Sequence, residues 1–176
     1  MSDRVFNYIS NWKKGWGMPI KRPKHLLIIG GGVFQVPAIK TAKSMGLKVA
    51  VTDYNPEAEG MLLADYPIEV STRNINLTVN TAKQFHSTCA LDGVMTVGTD
   101  ASQTVAAVAD ALGIPGIPFE VAERATDKIK MRQVLKEKGV PVPKFRPIWT
   151  LDECQEAVKH MPLPLVIKPC GNMGAR

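Results

Sequence analysis

From His25 onward, short apolar runs alternate with segments of helical period. His25-Leu26-Leu27-Ile28-Ile29 is a continuous apolar run that ends in Gly30-Gly31-Gly32. A run of that kind is the pattern of a strand buried on both faces, and the glycines end it in a tight turn. Val36, Ile39, Ala42 and Lys43 then recur at helical spacing, which predicts a helix over 35–44 that stops at Gly46. Lys48 to Thr52 predicts a second strand closed by Asp53, and residues 68–70 a third. Asn74 can cap a helix running to about His86. Gly93 to Val97 predicts a fourth strand, and an alanine-rich helix opens at Asp100 or Ser102 and stops at Gly113. Strands separated by helices of this length imply βαβ units, hence a parallel sheet with helices on both faces. The expected class is α/β: a doubly wound, mostly parallel, Rossmann-like domain over residues 25–118.

Ile114-Pro115-Gly116-Ile117-Pro118 is turn-rich and marks a boundary. Beyond it the pattern predicts a short helix from Phe119 and a longer one over 127–138, ended by Gly139 with Pro141 and Pro143 behind it. Lys144 to Trp149 reads as a strand. Thr150 with Glu153 three residues on makes a capping box for a helix over 151–161, and Leu163 to Lys168 reads as a further strand. Three units are therefore expected: a basic arm over 1–24, the sheet domain over 25–118, and the start of a second domain over 119–176.

Composition narrows the classes. The chain has 176 residues, 45% hydrophobic and 22% charged, which is ordinary for a folded protein. No apolar window approaches the roughly 18 residues of a membrane span, and residues 1–24 lack the apolar core of a secretory signal. Cys89, Cys154 and Cys170 form no CxxC pair, and His25, His86 and His160 are scattered. Neither a disulfide framework nor a zinc site is expected, and the expected compartment is the reducing cytoplasm. The net charge is +6, but Arg4, Lys13, Lys14, Lys21, Arg22 and Lys24 against Asp3 place five of those charges in the first 24 residues. A nearly neutral body with a basic arm is not a nucleic-acid face, and no membrane association is expected. The arm also carries Trp12 and Trp16. Docking on the body, on a further domain or on a partner subunit in a homo-oligomer stays open, as does an arm with no fixed contact.

Four places carry candidate chemistry. Gly30 and Gly32 fit the first two positions of a dinucleotide fingerprint, G-x-G-x-x-G, and Asp53 fits its acid about twenty residues on; the third position is Gln35. A tight strand–helix turn that binds nothing fits the glycines equally well. Val97-Gly98-Thr99-Asp100 ends the fourth strand, where open α/β sheets bind ligands. Thr99 or Asp100 could instead simply cap the next helix. Asp127-Lys128 opens the long helix, and its lysine can meet a phosphate or merely face solvent. Val166-Ile167-Lys168-Pro169, followed by Cys170-Gly171-Asn172-Met173-Gly174-Ala175-Arg176, is an apolar strand ending in a lysine and a glycine-bearing loop. Such a loop offers backbone N–H donors and charge to phosphates without bulk, although it is not a Walker A loop.

Taken in order, Gly30-Gly31-Gly32, Gly113-Ile114-Pro115-Gly116, Asp127-Lys128, Gly139 to Pro143, Ile167-Lys168-Pro169 and Asn172 to Arg176 resemble the beginning of the ATP-grasp superfamily across about residues 25–176. The last loop is most similar to the carbamoyl-phosphate-synthase-like ligases. The resemblance implies a pre-ATP-grasp domain followed by the truncated start of an ATP-grasp domain. It implies ATP and magnesium as cofactors and a carboxylate or bicarbonate substrate, activated as an acyl phosphate and attacked by an amine. Lys128, Lys168, Gly171, Asn172, Met173, Gly174 and Arg176 would bind ATP, and Gly31, Gly32, Gln35, Gly98 and Thr99 would face the acceptor. The chain ends inside the loop, ahead of the adenine clamp and the magnesium ligands that such proteins supply later. A fragment of a longer enzyme, inactive alone and without a metal site of its own, is the expectation. The alternatives are a stand-alone NAD(P)-binding Rossmann domain and a non-catalytic interaction module built on the arm.

Overall fold

The computed structural model describes residues 22–171. All of the basic arm before Arg22 lies outside the described residues, as do Asn172, Met173, Gly174 and Arg176 of the terminal loop. In chain order the elements are β1 (His25–Ile29), α1 (Val36–Ser44), β2 (Lys48–Asp53), α2 (Glu59–Leu63), β3 (Tyr66–Glu69), α3 (Ile75–Thr88), β4 (Leu91–Met95), α4 (Ser102–Leu112), α5 (Phe119–Thr126), α6 (Lys128–Glu137) and α7 (Leu151–His160). The four strands form one parallel sheet in the order β3-β2-β1-β4.

The central strands are apolar on both sides because both sides are covered. Side chains alternate across a strand, so Leu27 and Ile29 of β1 face α3 and α4 together with Ala50, Ala82 and Val108. Ile28 faces the other way, against α1 and α2, with Val49, Val51, Ile39 and Met61. Each buried Leu, Ile, Val or Met side chain among these contributes about 1.5–3 kcal/mol by leaving water. The fold class read from the pattern is the one observed.

Two aspartates fasten this half. Asp92, at the start of β4, accepts from Arg22 Nη1 at 2.9 Å, from Arg22 Nη2 at 3.0 Å and from the His25 amide at 2.8 Å. Burial alone would raise its carboxyl, but the Arg22 guanidinium and the His25 amide outweigh burial and hold it below the ordinary value. Asp65 accepts from the Val49 amide and from Lys48 Nζ, each at 3.0 Å. Its carboxyl is likewise lowered against the push of burial.

The turn-rich stretch after α4 lies directly on that helix. Gly113 stops α4 with φ +63, and the Ile114 amide donates to Ala109 O at 3.1 Å. A Cβ on Gly116 would fall 2.4 Å from Ala109 Cβ, so only glycine lets the chain pass this close. Beyond it, α5 buries Ala122 and Thr126, α7 buries Ala157, and α6 buries nothing. The caps are nonetheless as expected. Asp127 accepts from the Ile129 and Lys130 amides, and Thr150 with Glu153 forms the full capping box.

Two expectations fail here. Neither 144–149 nor 163–168 is a strand; both runs are irregular, and Trp149, Leu163, Val166 and Ile167 are exposed. A strand exists only through a ladder partner, and among the described residues neither run has one. The structure also holds a helix that the pattern did not predict, α2, five residues long. It packs so tightly on the first turn that a Cβ on Gly60 would lie 2.6 Å from Gly31 O and 2.7 Å from Ile39 Cδ1.

Candidate functional site

The chain runs from β1 outward to β2 and β3, then crosses back to β4 on the other side of β1. The crevice over the carboxyl ends of β1 and β4 is thus a topological switch point, where open α/β sheets bind ligands. The turn after β1 and the turn after β4 meet there. Gly30 has φ +100 and Gly98 φ +62, conformations that glycine takes without a Cβ penalty. A Cβ on Gly30 would lie 3.4 Å from Gln35 Cδ and 3.4 Å from Thr99 Cγ2. One on Gly32 would lie 3.3 Å from Gln35 Oε1. The Gln35 side chain is buried and its Nε2 donates to Val97 O across the crevice. The structure therefore gathers Gly31, Gly32, Gln35, Gly98 and Thr99 in one place.

The backbone of the first turn is largely engaged within the fold. The Gly30 amide donates to Thr52 O at 2.8 Å, and the Gly31 amide to Asp53 Oδ2 at 2.8 Å. Gly31 O accepts from the Gly60 amide at 2.6 Å. Asp53 Oδ1 accepts from the Asn55 amide at 3.0 Å. The helices leaving the crevice lack side-chain caps, as do α2 and α5. Asn74, Asp127 and Thr150 cap α3, α6 and α7 with their side chains, whereas the N-cap residues of α1 and α4, Gln35 and Ala101, make no such bond. The capping role that the sequence left open to Thr99 and Asp100 is not taken by either. At α1 the Val36 amide donates to Val33 O and Pro37 has no N–H, so this helix offers the edge mainly its positive dipole end.

Lys128 and Lys168 lie on a second feature, a cavity of about 480 Å³ between α6, α7 and the two irregular runs. Arg132, Lys144 and Arg146 line it too, and among the described residues no carboxylate does. Arg132 is further positioned over the Phe145 ring, 5.6 Å from its centroid. The Lys128 amide donates to Cys170 O at 3.1 Å, which ties the start of α6 to the residue before Gly171. Five cations beside apolar side chains such as Ile129, Ile148 and Leu165 suit a ligand that pairs a polyanion with a flat apolar group. Among the described residues no cluster of three or more His, Cys, Asp or Glu side chains could hold a metal. No helix among them is long and apolar enough to cross a membrane.

Sequence reading missed Lys144 and Arg146. Nothing local marked them, since the run that carries them is irregular and meets the two lysines only around the cavity.

Over residues 16–107, more than half its length, the chain matches the alanine dehydrogenase/PNT C-terminal domain family. The chain belongs to that family. The match takes in the whole sheet and the start of α4. Likeness to ligases extends further. The large chain of carbamoyl phosphate synthase from Methanoregula boonei is 24% identical over 169 residues, 86% of this chain and 16% of that one. The crystal structure of an L-amino acid ligase from Bacillus licheniformis superposes with a TM-score of 0.69 at 27% identity, covering 86% of this chain and 38% of that one. Phosphoribosylglycinamide synthetase from Anaerococcus prevotii gives a TM-score of 0.63 at 26% identity, over 81% and 36%. The chain thus spans well under half the length of these relatives. It is ligase-like along most of its own length.

Proposed function

We propose that this chain is the N-terminal part of an ATP-dependent carboxylate–amine ligase of the carbamoyl-phosphate-synthase-like kind. Residues 25–118 form its pre-ATP-grasp domain and 119–176 begin its ATP-grasp domain. The observation that carries the reading is the 480 Å³ cavity, where Lys128 and Lys168, the two lysines of the sequence pattern, lie with three further cations. Those side chains fit the phosphates of ATP, and Ile129, Ile148 and Leu165 offer an apolar surface for its base. Gly171, Asn172, Met173, Gly174 and Arg176 would close over the phosphates with backbone donors. When bound, ATP supplies the phosphoryl group that activates a carboxylate or bicarbonate for attack by an amine. Gly31, Gly32, Gln35, Gly98 and Thr99 would hold that acceptor at the sheet's carboxyl edge, where the positive dipole ends of α1 and α4 favour an anion. Magnesium would be held by chain beyond these residues, so this stretch alone binds nucleotide weakly and turns nothing over. A cytoplasmic location and a small-molecule substrate follow from the same reading.

A titration with MgATP, read by amide NMR, tests it. Shifts should centre on Lys128, Arg132, Lys144, Lys168 and Gly171. Lys168→Ala should weaken them about tenfold, the size of one lost charge-assisted contact. No shift at millimolar MgATP in the full-length protein would sink the assignment of this cavity.

A second reading, a dinucleotide-binding domain of an oxidoreductase, is favoured by the family match over residues 16–107 and by Gly30, Gly32 and Asp53. NADH shifts confined to those residues would install it in place of the first.

A further inference from the structure

We infer that Gln35 is a specificity-determining residue that closes the switch-point crevice to dinucleotides. A dinucleotide laid across this crevice needs three things: room above the glycine turn for the pyrophosphate, free turn amides to bind it, and an acid for the ribose. The third glycine of the fingerprint provides close helix–strand packing. Here a glutamine stands at that position, only 4% exposed. Its side chain spans the gap. The carboxamide carbon packs on Gly30, Oε1 lies over Gly32, and Nε2 reaches the far turn, donating to Val97 O and lying 3.9 Å from where a Cβ on Gly98 would be.

Part of the turn is engaged within the fold as well. The Gly30 and Gly31 amides already donate to Thr52 O and to Asp53. Asp53 accepts one backbone amide on each oxygen, from Gly31 and from Asn55. So the start of the turn and Asp53 are tied into the fold, and Gln35 holds the two turns together over them. This holds whether or not ATP binds at the basic cavity, since it concerns a different edge of the molecule.

The test is a titration with NADH and NADPH, followed by nicotinamide fluorescence and by amide NMR, on the wild-type chain and on Gln35→Ala. Alanine is one of the two residues the fingerprint accepts at this position. The wild type should show no saturable binding, and Gln35→Ala should bind NADH at least tenfold more tightly, with shifts centred on Gly30 to Gly32. The amide spectrum of β2, β3 and α3 should stay unchanged, which a collapse of the fold would not allow. Gln35→Gly, restoring the third glycine, repeats the test if alanine packs badly. Wild-type binding of NADH at Gly30 to Gly32 would overturn the inference. So would two well-folded variants with no gain in affinity.

Discussion

Helices α4 and α6 differ by one residue in length, and both start and stop where the sequence marks them. Yet α4 buries Thr104, Ala106, Val108 and Ala109, while α6 buries nothing. The same contrast separates the sheet half from the stretch after residue 118. In the first, the central strands β1 and β2 have helices over both faces. In the second, helices are capped and turns are formed, but Trp149, Leu163, Val166 and Ile167 stand in water. Caps and periodicity make helices; only a second layer makes a core. The first half therefore carries the stability, and the second is held mainly by local bonds and by the contact of α5 with α4.

Substitutions at matched positions can break this comparison. The largest effect is expected for Ile28→Ala, at the fully buried centre of β1. It should lower stability by about 3 kcal/mol in urea unfolding; a loss under about 1 would place the core elsewhere. Gly60→Ala comes next, since its Cβ would meet the backbone oxygen of Gly31. A loss of about 2 kcal/mol is expected from overpacking, with amide shifts at Gly31 and Gly32. Thr150→Ala removes a capping box and should destabilise α7 by about 1 kcal/mol. Because little of α7 is buried, that loss should appear as faster amide exchange in α7 alone. Exchange that accelerates throughout β1 and β2 instead would show the two halves to be one cooperative unit.

Asp92 gives a smaller effect with a defined pH dependence. Its folded value lies below the ordinary 3.8, so its contribution is complete above that pH and is lost as pH falls through the lowered folded value. Asp92→Asn should cost under about 1 kcal/mol near neutrality, as half-exposed ion pairs do. It should also flatten the stability-versus-pH curve below about pH 4. An unaltered acid limb would show that other carboxylates govern it. The smallest change is expected for Val166→Ala, 77% exposed: within about 0.5 kcal/mol.

The four strands and their flanking helices could be read from the sequence because their signals are local: an apolar run, then a 3.6-residue period, then a glycine. Helix α2 could not, since five residues hold too little of a period to register. The runs 144–149 and 163–168 have the composition of strands, but a ladder depends on a partner far away in the chain. The same division applies to the sites. Gly31, Gly32, Gln35, Gly98 and Thr99 were all visible as strand-end turns. That the glycine amides bond to Asp53 and Thr52 was not, because it depends on how β1 and β2 lie side by side. Lys128 and Lys168 were legible singly, whereas Lys144 and Arg146 gained meaning only when the chain folded back around one cavity.

The Arg22–Asp92 pair has a practical consequence. It fixes the chain's entry at the amino end of β1, and five strand residues of about 3.3 Å each separate that end from the crevice. A tag, dye or surface tether attached ahead of Arg22 therefore joins the described body about 16 Å from the glycine turns. Attachment at that end leaves the carboxyl edge of the sheet, where the two glycine turns meet, unmodified.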